Sequence, residues 1–293
     1  MTRTVRALLD YGVEQFERAG LAYGHGTGNA LDEAAWIILS SLGLPPSELN
    51  PHLDQPLTEA RYRETKALLD ARVRTRKPAA YLLHEAWLGP HKFYVDERVI
   101  VPRSFIAEML IRGQTPVSRG AERSILDLCT GSGCLAILAA LTHPEARVDA
   151  ADLSGAALEV AKRNVADYKL GRRVHLVKSD LFGALATRRY DLILSNPPYV
   201  RAASMRKLPD EFRKEPDIAL ASGSDGLDHT RRILAGAKEH LNPRGSLVVE
   251  IGHNRAALER AYPSFKFKWP KVAAGAGYVF VLTREQIPSQ CGI

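Results

Sequence analysis

Ser195-Asn196-Pro197-Pro198-Tyr199 follows the apolar run Tyr190 to Leu194 and combines residue types that can hold a planar NH2 group. Neither proline can donate to a sheet ladder, so a strand formed by the apolar run has to end there. In open α/β sheets, ligands bind at that carboxyl end. An amide or exocyclic amine is a poor nucleophile because its nitrogen lone pair is delocalised into a π-system. Hydrogen bonds from one NH2 to Asn196 Oδ1 and the Pro197 carbonyl would fix the nitrogen and turn its lone pair toward an electrophile. Orientation of this kind can lower a barrier by several kcal/mol. Pro198 keeps the corner rigid, and Tyr199 can stack on the group being modified. Asn196, Pro197, Pro198 and Tyr199 are therefore the expected catalytic residues. A rigid turn alone would explain the prolines but not the asparagine and the tyrosine.

A second constellation precedes it. Asp127-Leu128-Cys129-Thr130-Gly131-Ser132-Gly133 joins the strand-like Ile125 to Leu128 to an apolar helix from Cys134 to Leu141. Glycines here let backbone approach a ligand closely. A nicotinamide loop reads GxGxxG, and Ala136 is a tolerated substitute at the third position, so on this element alone a dehydrogenase stays open. Asp152 ends the next strand, about twenty residues on, where a carboxylate can hold ribose hydroxyls. Asp180 ends the third strand, placed to reach an adenine amino group, with Leu181 and Phe182 beside the base; a helix or turn cap is the alternative for Asp180. The three carboxylates describe a nucleoside pocket next to an NH2 clamp. A cationic sulfonium methyl donor suits such a pocket, because it loses its charge during transfer and apolar walls do not hinder the step.

The surrounding pattern supplies the frame. Residues 2 to about 85 read as helical, with stripes Val5-Leu8-Leu9-Val13-Phe16 and Leu31-Ala34-Ala35-Ile38-Leu39-Leu42 and a third helix from Glu59 to about Arg76. His25 and His52 read as loop residues. Trp87-Leu88, Gly89-Pro90 and Phe93-Tyr94-Val95 read as a β-hairpin. Val99 to Val101 is a further extended piece, and Ser104 reads as a helix cap and nothing more. A loop with Gly113, Pro116 and Gly120 follows. From Ser124 strands alternate with helices: 125–128, 147–152, 174–177, 190–194, 245–251, 265–269 and 278–282. That order predicts a mostly parallel, doubly wound sheet. The expected units are a helical recognition domain at 1–85, a β-hairpin linker at 86–110 and the α/β domain at 111–293.

The chain has 293 residues, 45% of them hydrophobic, and a net charge of +7, with a pI near 9.3. The length suffices for a sizeable core, and no apolar run reaches a membrane span. Cys129, Cys134 and Cys291 are too few and scattered for a disulfide framework or a zinc site; buried thiols in the cytoplasm are the expectation, and no metal. The basic excess, in pairs such as Arg72-Arg74-Arg76-Lys77, Arg172-Arg173, Arg188-Arg189 and Arg231-Arg232, points to a polyanionic neighbour such as RNA. No pair is interleaved with aromatics as a base-stacking platform is.

The glycine loop, Asp152, Asp180 and Asn-Pro-Pro-Tyr together resemble a class I S-adenosylmethionine-dependent methyltransferase. The segment FYVDERVIVPRSFIAEML is similar to the protein-glutamine N(5)-methyltransferase family. Within it, VDERVIVPRS and DLCTGSGCLAI are closest to the branch that methylates a glutamine of ribosomal protein L-three; EFRKEPDIALASGSDGLD strengthens the likeness. The sister branch, which acts on release factors, typically carries IPRPDTE and DLGTGTG instead. The resemblance implies a Rossmann-like, seven-stranded sheet with an N-terminal helical domain. It implies that Asp127, Cys129, Thr130, Gly131, Ser132, Gly133, Asp152, Asp180, Leu181 and Asn196 serve S-adenosylmethionine, and that Asn196 to Tyr199 grip the glutamine. Cys129 stands in place of the usual first glycine, as is common in this branch. Phe105 replaces a usual proline, a change expected to affect only the start of the helix. The implied partner is L-three, presented on an rRNA-containing assembly intermediate through the basic surface. Rivals are glutamine methylation of release factors, methylation of adenine or guanine amines, and a non-catalytic assembly factor; the intact motifs argue against the last.

Overall fold

The computed structural model describes residues 3–46, 48–113 and 122–288. Pro116, Gly120 and Cys291 lie outside them. Four helices come first: α1 (Val5–Arg18), α2 (Ala30–Leu42), α3 (Glu59–Thr75) and α4 (Ala79–Leu83). The first three begin on side-chain caps, as Thr4, Asn29 and Thr58 accept from the N–H groups of Ala7, Asp32 and Arg61. Those bonds satisfy donors that a helix start leaves orphaned. Val5, Leu8 and Phe16 of α1 are fully buried with Ile37, Ile38 and Leu69. Leu31, expected on the buried stripe of α2, is 50% exposed; Ala34, Ile38 and Leu39 of that stripe are buried, joined by Trp36 and Ile37.

The hairpin is β1 (Ala86–Leu88) with β2 (His91–Phe93), Leu88 opposite His91 across the Gly89-Pro90 turn. Beyond it Val95, Val99 and Val101 are buried in the same cluster as the helices, which continues to Ala157 and Val160. Apolar packing therefore crosses the expected divisions at 85 and 110. Helix α5 (Phe105–Ile111) follows.

The α/β region runs β3 (Ser124–Leu128), α6 (Cys134–Thr142), β4 (Arg147–Asp152), α7 (Gly155–Asp167), β5 (Val174–Lys178) and β6 (Tyr190–Ser195). It continues through α8 (Ala202–Met205), α9 (Asp228–His240), β7 (Leu241–Glu250), α10 (Arg255–Ala261), β8 (Lys271–Val272), β9 (Gly275–Ala276) and β10 (Val279–Thr283). The main sheet has the order β10-β7-β6-β3-β4-β5, parallel except for β10. Residues Cys134 to Ala140 of α6 are all buried, as expected of a helix apolar on every side.

The sheet has six strands among the described residues, not seven. The segment Phe265-Trp269 meets it only at Lys268, which exchanges two backbone hydrogen bonds with Val281. Pro263 and Pro270 bound the segment and keep the ladder short, while Phe267 and Trp269 pack edge-on against Phe280. Among the described residues no helix is long and apolar enough to cross a membrane.

Candidate active site

Register assembles the site. Leu128, the last residue of β3, pairs with Ala151 of β4 on one side and Ser195 of β6 on the other. Asp152, the last residue of β4, and Cys129 and Asn196, the residues just past β3 and β6, therefore lie side by side where strand order reverses.

Two cavities open there. One, with about 700 Å³ of empty space partly open to solvent, is lined by Cys129, Gly131, Asp152, Asp180, Leu181 and Asn196, among others. The other, about 880 Å³, is lined by Arg103, Phe105, Asn196, Pro197, Tyr199 and Tyr278, among others. Asn196 and Ile100 border both. Ile100 was not anticipated; its only signal was its place in the extended Val99-Ile100-Val101 run.

On the first cavity's side, Asp152 Oδ2 accepts from Gly131 N and Oδ1 from Ser154 N, both at 2.8 Å. Burial pushes the Asp152 carboxyl upward, against those two bonds. A Cβ added at Gly131 (φ +55°) would meet nothing within 4 Å, leaving room for a ligand against the backbone. Leu181 is buried in the wall, whereas Asp180 sits half-exposed at the rim and pairs with Arg232 at 2.8 Å. Cys129, half-buried rather than buried, holds φ +59°, a glycine-like conformation consistent with the residue it replaces.

Other members of the expected cofactor set shape the loop without lining that cavity. Asp127 is fully buried, accepting from Thr130 Oγ1 and, at 3.0 Å, from Ala136 N. Burial pushes its carboxyl up to about 7. Gly133 caps α6 at φ +80°, and an added Cβ would stand 3.1 Å from Ala161 Cβ, so it serves close packing against α7. Thr130 and Ser132, both buried, border a smaller cleft shared with Asn196.

At the clamp, Asn196 Nδ2 donates to the Arg103 carbonyl at 3.4 Å. Asn196 Oδ1 is buried and has no hydrogen-bond partner. An unmet buried amide oxygen costs about 1–3 kcal/mol unless a ligand supplies the donor. Tyr199 is fixed from three sides. Asn254 Nδ2 donates to its carbonyl at 2.8 Å, its hydroxyl lies 3.5 Å from Glu250 Oε1, and Gly252 lies under its ring. Gly252 has φ +53°, and a Cβ there would come 2.8 Å from Tyr199 Cε2. Gly252→Ala is expected to cost about 1–3 kcal/mol through backbone strain and contact. It should also displace the ring, lowering turnover roughly 10-fold with cofactor affinity kept. Melting and turnover like the parent's would show that the ring is not held this way.

Glu250, buried at the end of β7, accepts from Ser104 Oγ at 2.8 Å and Phe105 N at 2.9 Å. Ser104 thus does more than cap α5. Phe105, expected to matter only where the helix starts, also walls the second cavity and packs on Tyr278 at 5.1 Å. Burial pushes the Glu250 carboxyl from its ordinary 4.5 up to about 7, against its donors. Its protonated form favours the fold, so that contribution is full below about pH 4.5 and is lost as pH rises through about 7. Glu250→Gln should remove this share of the pH dependence of melting, on the order of 3 kcal/mol. An unchanged melting profile from pH ~5 to ~8 would contradict it.

A buried ionic network behind the clamp was not foreseen. Arg72 is wholly buried, with Nε 2.5 Å from Glu33 Oε1 and a guanidinium nitrogen 3.8 Å from Glu211. Arg76 reaches the same Glu211 at 3.0 Å. His25, expected in a loop, is 1% exposed, with Nε2 3.5 Å from Glu215 Oε2. Arg173 caps the end of α6 by donating to the carbonyls of Ala140, His143 and Pro144. Arg188 pairs with Asp149, Arg231 with Asp225 and Arg232 with Asp180. The basic pairs that pointed to a polyanion are thus extensively engaged within the chain. Most of these pairings are not visible in sequence, because apart from Arg231 with Asp225 the partners lie far apart along the chain.

Comparison with known proteins gives the family. The PrmC N-terminal domain family matches residues 7–83 and the Methyltransferase small domain family residues 108–224. A ribosomal protein uL3 glutamine methyltransferase of Neisseria meningitidis serogroup B is 54% identical over 286 residues, covering 97% of this chain and 94% of its own. This chain belongs to the uL3 glutamine methyltransferase family. The family's Bordetella pertussis member is 51% identical over 288 residues, covering 97% of this chain and 96% of its own. Among solved structures, a methyltransferase from Pyrococcus furiosus superposes with a TM-score of 0.50 at 18% identity, covering 73% of this chain and 97% of that one. That likeness shows the class I methyltransferase fold.

Proposed function

We propose that this chain transfers a methyl group from S-adenosylmethionine to the side-chain amide nitrogen of a glutamine in ribosomal protein uL3, the L-three of the sequence resemblance. The observation that carries the reading is Asn196 Oδ1, a buried acceptor without a partner at the border of two cavities. The first cavity fits the cofactor: Asp152 stands where ribose hydroxyls would be held, and Gly131 leaves backbone room beside it. S-adenosylmethionine, when bound, supplies an electrophilic methyl on a cationic sulfur. Everything else falls to the chain. Asn196 Oδ1 and the Pro197 carbonyl accept from the glutamine NH2 and aim its lone pair, while Pro197 and Pro198 offer no competing N–H. Tyr199 stacks on the amide plane. The nitrogen becomes acidic as it is methylated, so its proton can leave to solvent without a dedicated base.

Cofactor use is tested by calorimetry with S-adenosylmethionine; no binding would favour a non-catalytic factor. Transfer is tested with methyl-labelled cofactor against free uL3, release factor and ribosomal precursor particles. Label on uL3 is expected, and label on release factor or RNA instead would overturn the assignment. The net charge of +7 supports a substrate presented in the cytoplasm on an RNA-containing particle. Activity on particles should then fall steeply with added salt, and salt-insensitive activity would count against that presentation.

A further inference from the structure

The Asn196 amide is held at one end by a backbone carbonyl, and that carbonyl belongs to a residue with an elaborate buried anchor. Arg103 O accepts from Asn196 Nδ2 at 3.4 Å. The Arg103 guanidinium forms a fork on Glu215, at 2.8 Å to Oε1 and 2.5 Å to Oε2. Glu215 Oε1 also accepts from Val101 N at 2.8 Å, two residues before Arg103. One carboxylate therefore grips both the backbone and the side chain of the stretch that presents the Arg103 carbonyl.

The anchor is itself wedged in place. His25 Nε2 lies 3.5 Å from Glu215 Oε2, and the His25 ring packs on Phe212 with centroids 4.2 Å apart. The Arg103 guanidinium lies over the Phe212 ring at 5.4 Å. Gly24 (φ +124°) leaves so little room that an added Cβ would stand 3.1 Å from that ring. Three stretches distant in sequence, around 25, 101–103 and 212–215, thus converge on one carboxylate that is 3% exposed.

We propose that Glu215 is a positioning residue for methyl transfer: by clasping Arg103 and Val101 it keeps the Arg103 carbonyl on Asn196 Nδ2 and so leaves Oδ1 to the substrate amide. A bidentate arginine–carboxylate pair suits this task because its planar geometry fixes orientation as well as distance. Without the clasp the Asn196 amide is free to rotate, and its nitrogen can take the place of its oxygen. That rotation presents a donor where the substrate NH2 needs an acceptor. The inference rests on the role proposed for Asn196 above.

The experiment is a double-mutant cycle in the full chain with labelled S-adenosylmethionine and uL3. Glu215→Gln, which keeps size and removes charge, is expected to lower kcat roughly 10- to 100-fold. Cofactor affinity by calorimetry, and kcat normalised to cofactor-binding sites, separate this loss from a fall in folded protein. In an Asn196→Ala background the same change should cost at most about twofold, because the group it positions is gone. A merely structural role would cost as much in both backgrounds, and that result overturns the proposal. So does a normalised kcat for Glu215→Gln within twofold of the parent. Should Glu215→Gln fail to fold, Arg103→Lys, which keeps the charge but loses the fork, runs the same cycle with the same criteria. Near-normal turnover by Asn196→Ala alone would instead overturn the proposed function, so the two failures are distinguishable.

Discussion

Asn196→Ala is expected to lower the rate of methyl transfer by roughly 10²–10³-fold while leaving cofactor affinity nearly intact. The asymmetry follows from where the side chain sits. The first cavity keeps Asp152, Gly131 and Leu181 along its wall when Asn196 is shortened. The second loses the buried oxygen that would accept from the substrate NH2. What disappears is orientation of a poor nucleophile, an effect felt in kcat rather than in cofactor binding. Single-turnover measurements with labelled cofactor, beside calorimetry, check both halves. A variant that binds cofactor and turns over within a few-fold of the parent would remove Asn196 from the mechanism. Loss of cofactor binding in step with activity would assign it to the first cavity alone.

Arg72→Ala should be the most destabilising of the substitutions considered. The side chain is fully buried and lies between Glu33 and Glu211, and it donates to the Ala22 carbonyl at 3.1 Å. Its removal leaves two buried carboxylates short of their counter-charge. Breaking a buried pair by deleting one partner costs about 3–5 kcal/mol. For a chain of this size that lowers the melting temperature by something on the order of 10 °C. Replacing both members by apolar residues, Arg72→Met with Glu33→Leu, should recover part of the loss, since a stranded charge costs more than an absent pair. If the single variant melts within a degree or two of the parent, the network contributes little. Glu211 lies on the segment after the clamp, so Arg72→Ala should also loosen the wall that carries Phe212.

The same network sets a sign at low pH. Burial would raise the Glu215 carboxyl, but the His25 ring and the Arg103 guanidinium outweigh it and hold it near 2, below its ordinary 4.5. Its contribution to stability is therefore present above about pH 4.5 and lost as pH falls through about 2. Glu250 runs the other way, losing its contribution as pH rises through about 7. Opposite slopes from two carboxyls of one residue type show that the partners, not the residue, decide.

Much of the frame of the candidate site is legible in the sequence. A polar residue, two prolines and an aromatic after an apolar run could only close a strand, and a glycine loop between strand and helix could only open a helix. Both are local effects of dihedral freedom and missing donors. The hairpin turn at Gly89-Pro90 and the caps at Thr4, Asn29 and Thr58 belong to the same class. The Phe265-Trp269 segment misled because its alternation satisfies a strand pattern, while the prolines at 263 and 270 limit its pairing. The α2 stripe is legible at Ala34, Ile38 and Leu39, which are buried, whereas Leu31 in the first turn lies exposed.

By itself, then, the order of residues determined most of the elements, the branch of methyltransferases that the chain resembles, and the corner at Asn196 to Tyr199. Only the tertiary structure decided that Asp127 and Gly133 brace the loop while Cys129, Gly131 and Asp152 line the cavity. It alone placed Ile100 and Phe105 in the walls and made His25, Arg72 and Glu215 buried anchors. The physical reason is distance along the chain. Strand ends and turns are set by neighbours within a few residues, but an ion pair such as the buried Arg72 with Glu33, or the partly buried Arg103 with Glu215, joins positions 39 or 112 residues apart. Such a pair exists only once the fold has brought its partners together and shielded them from water.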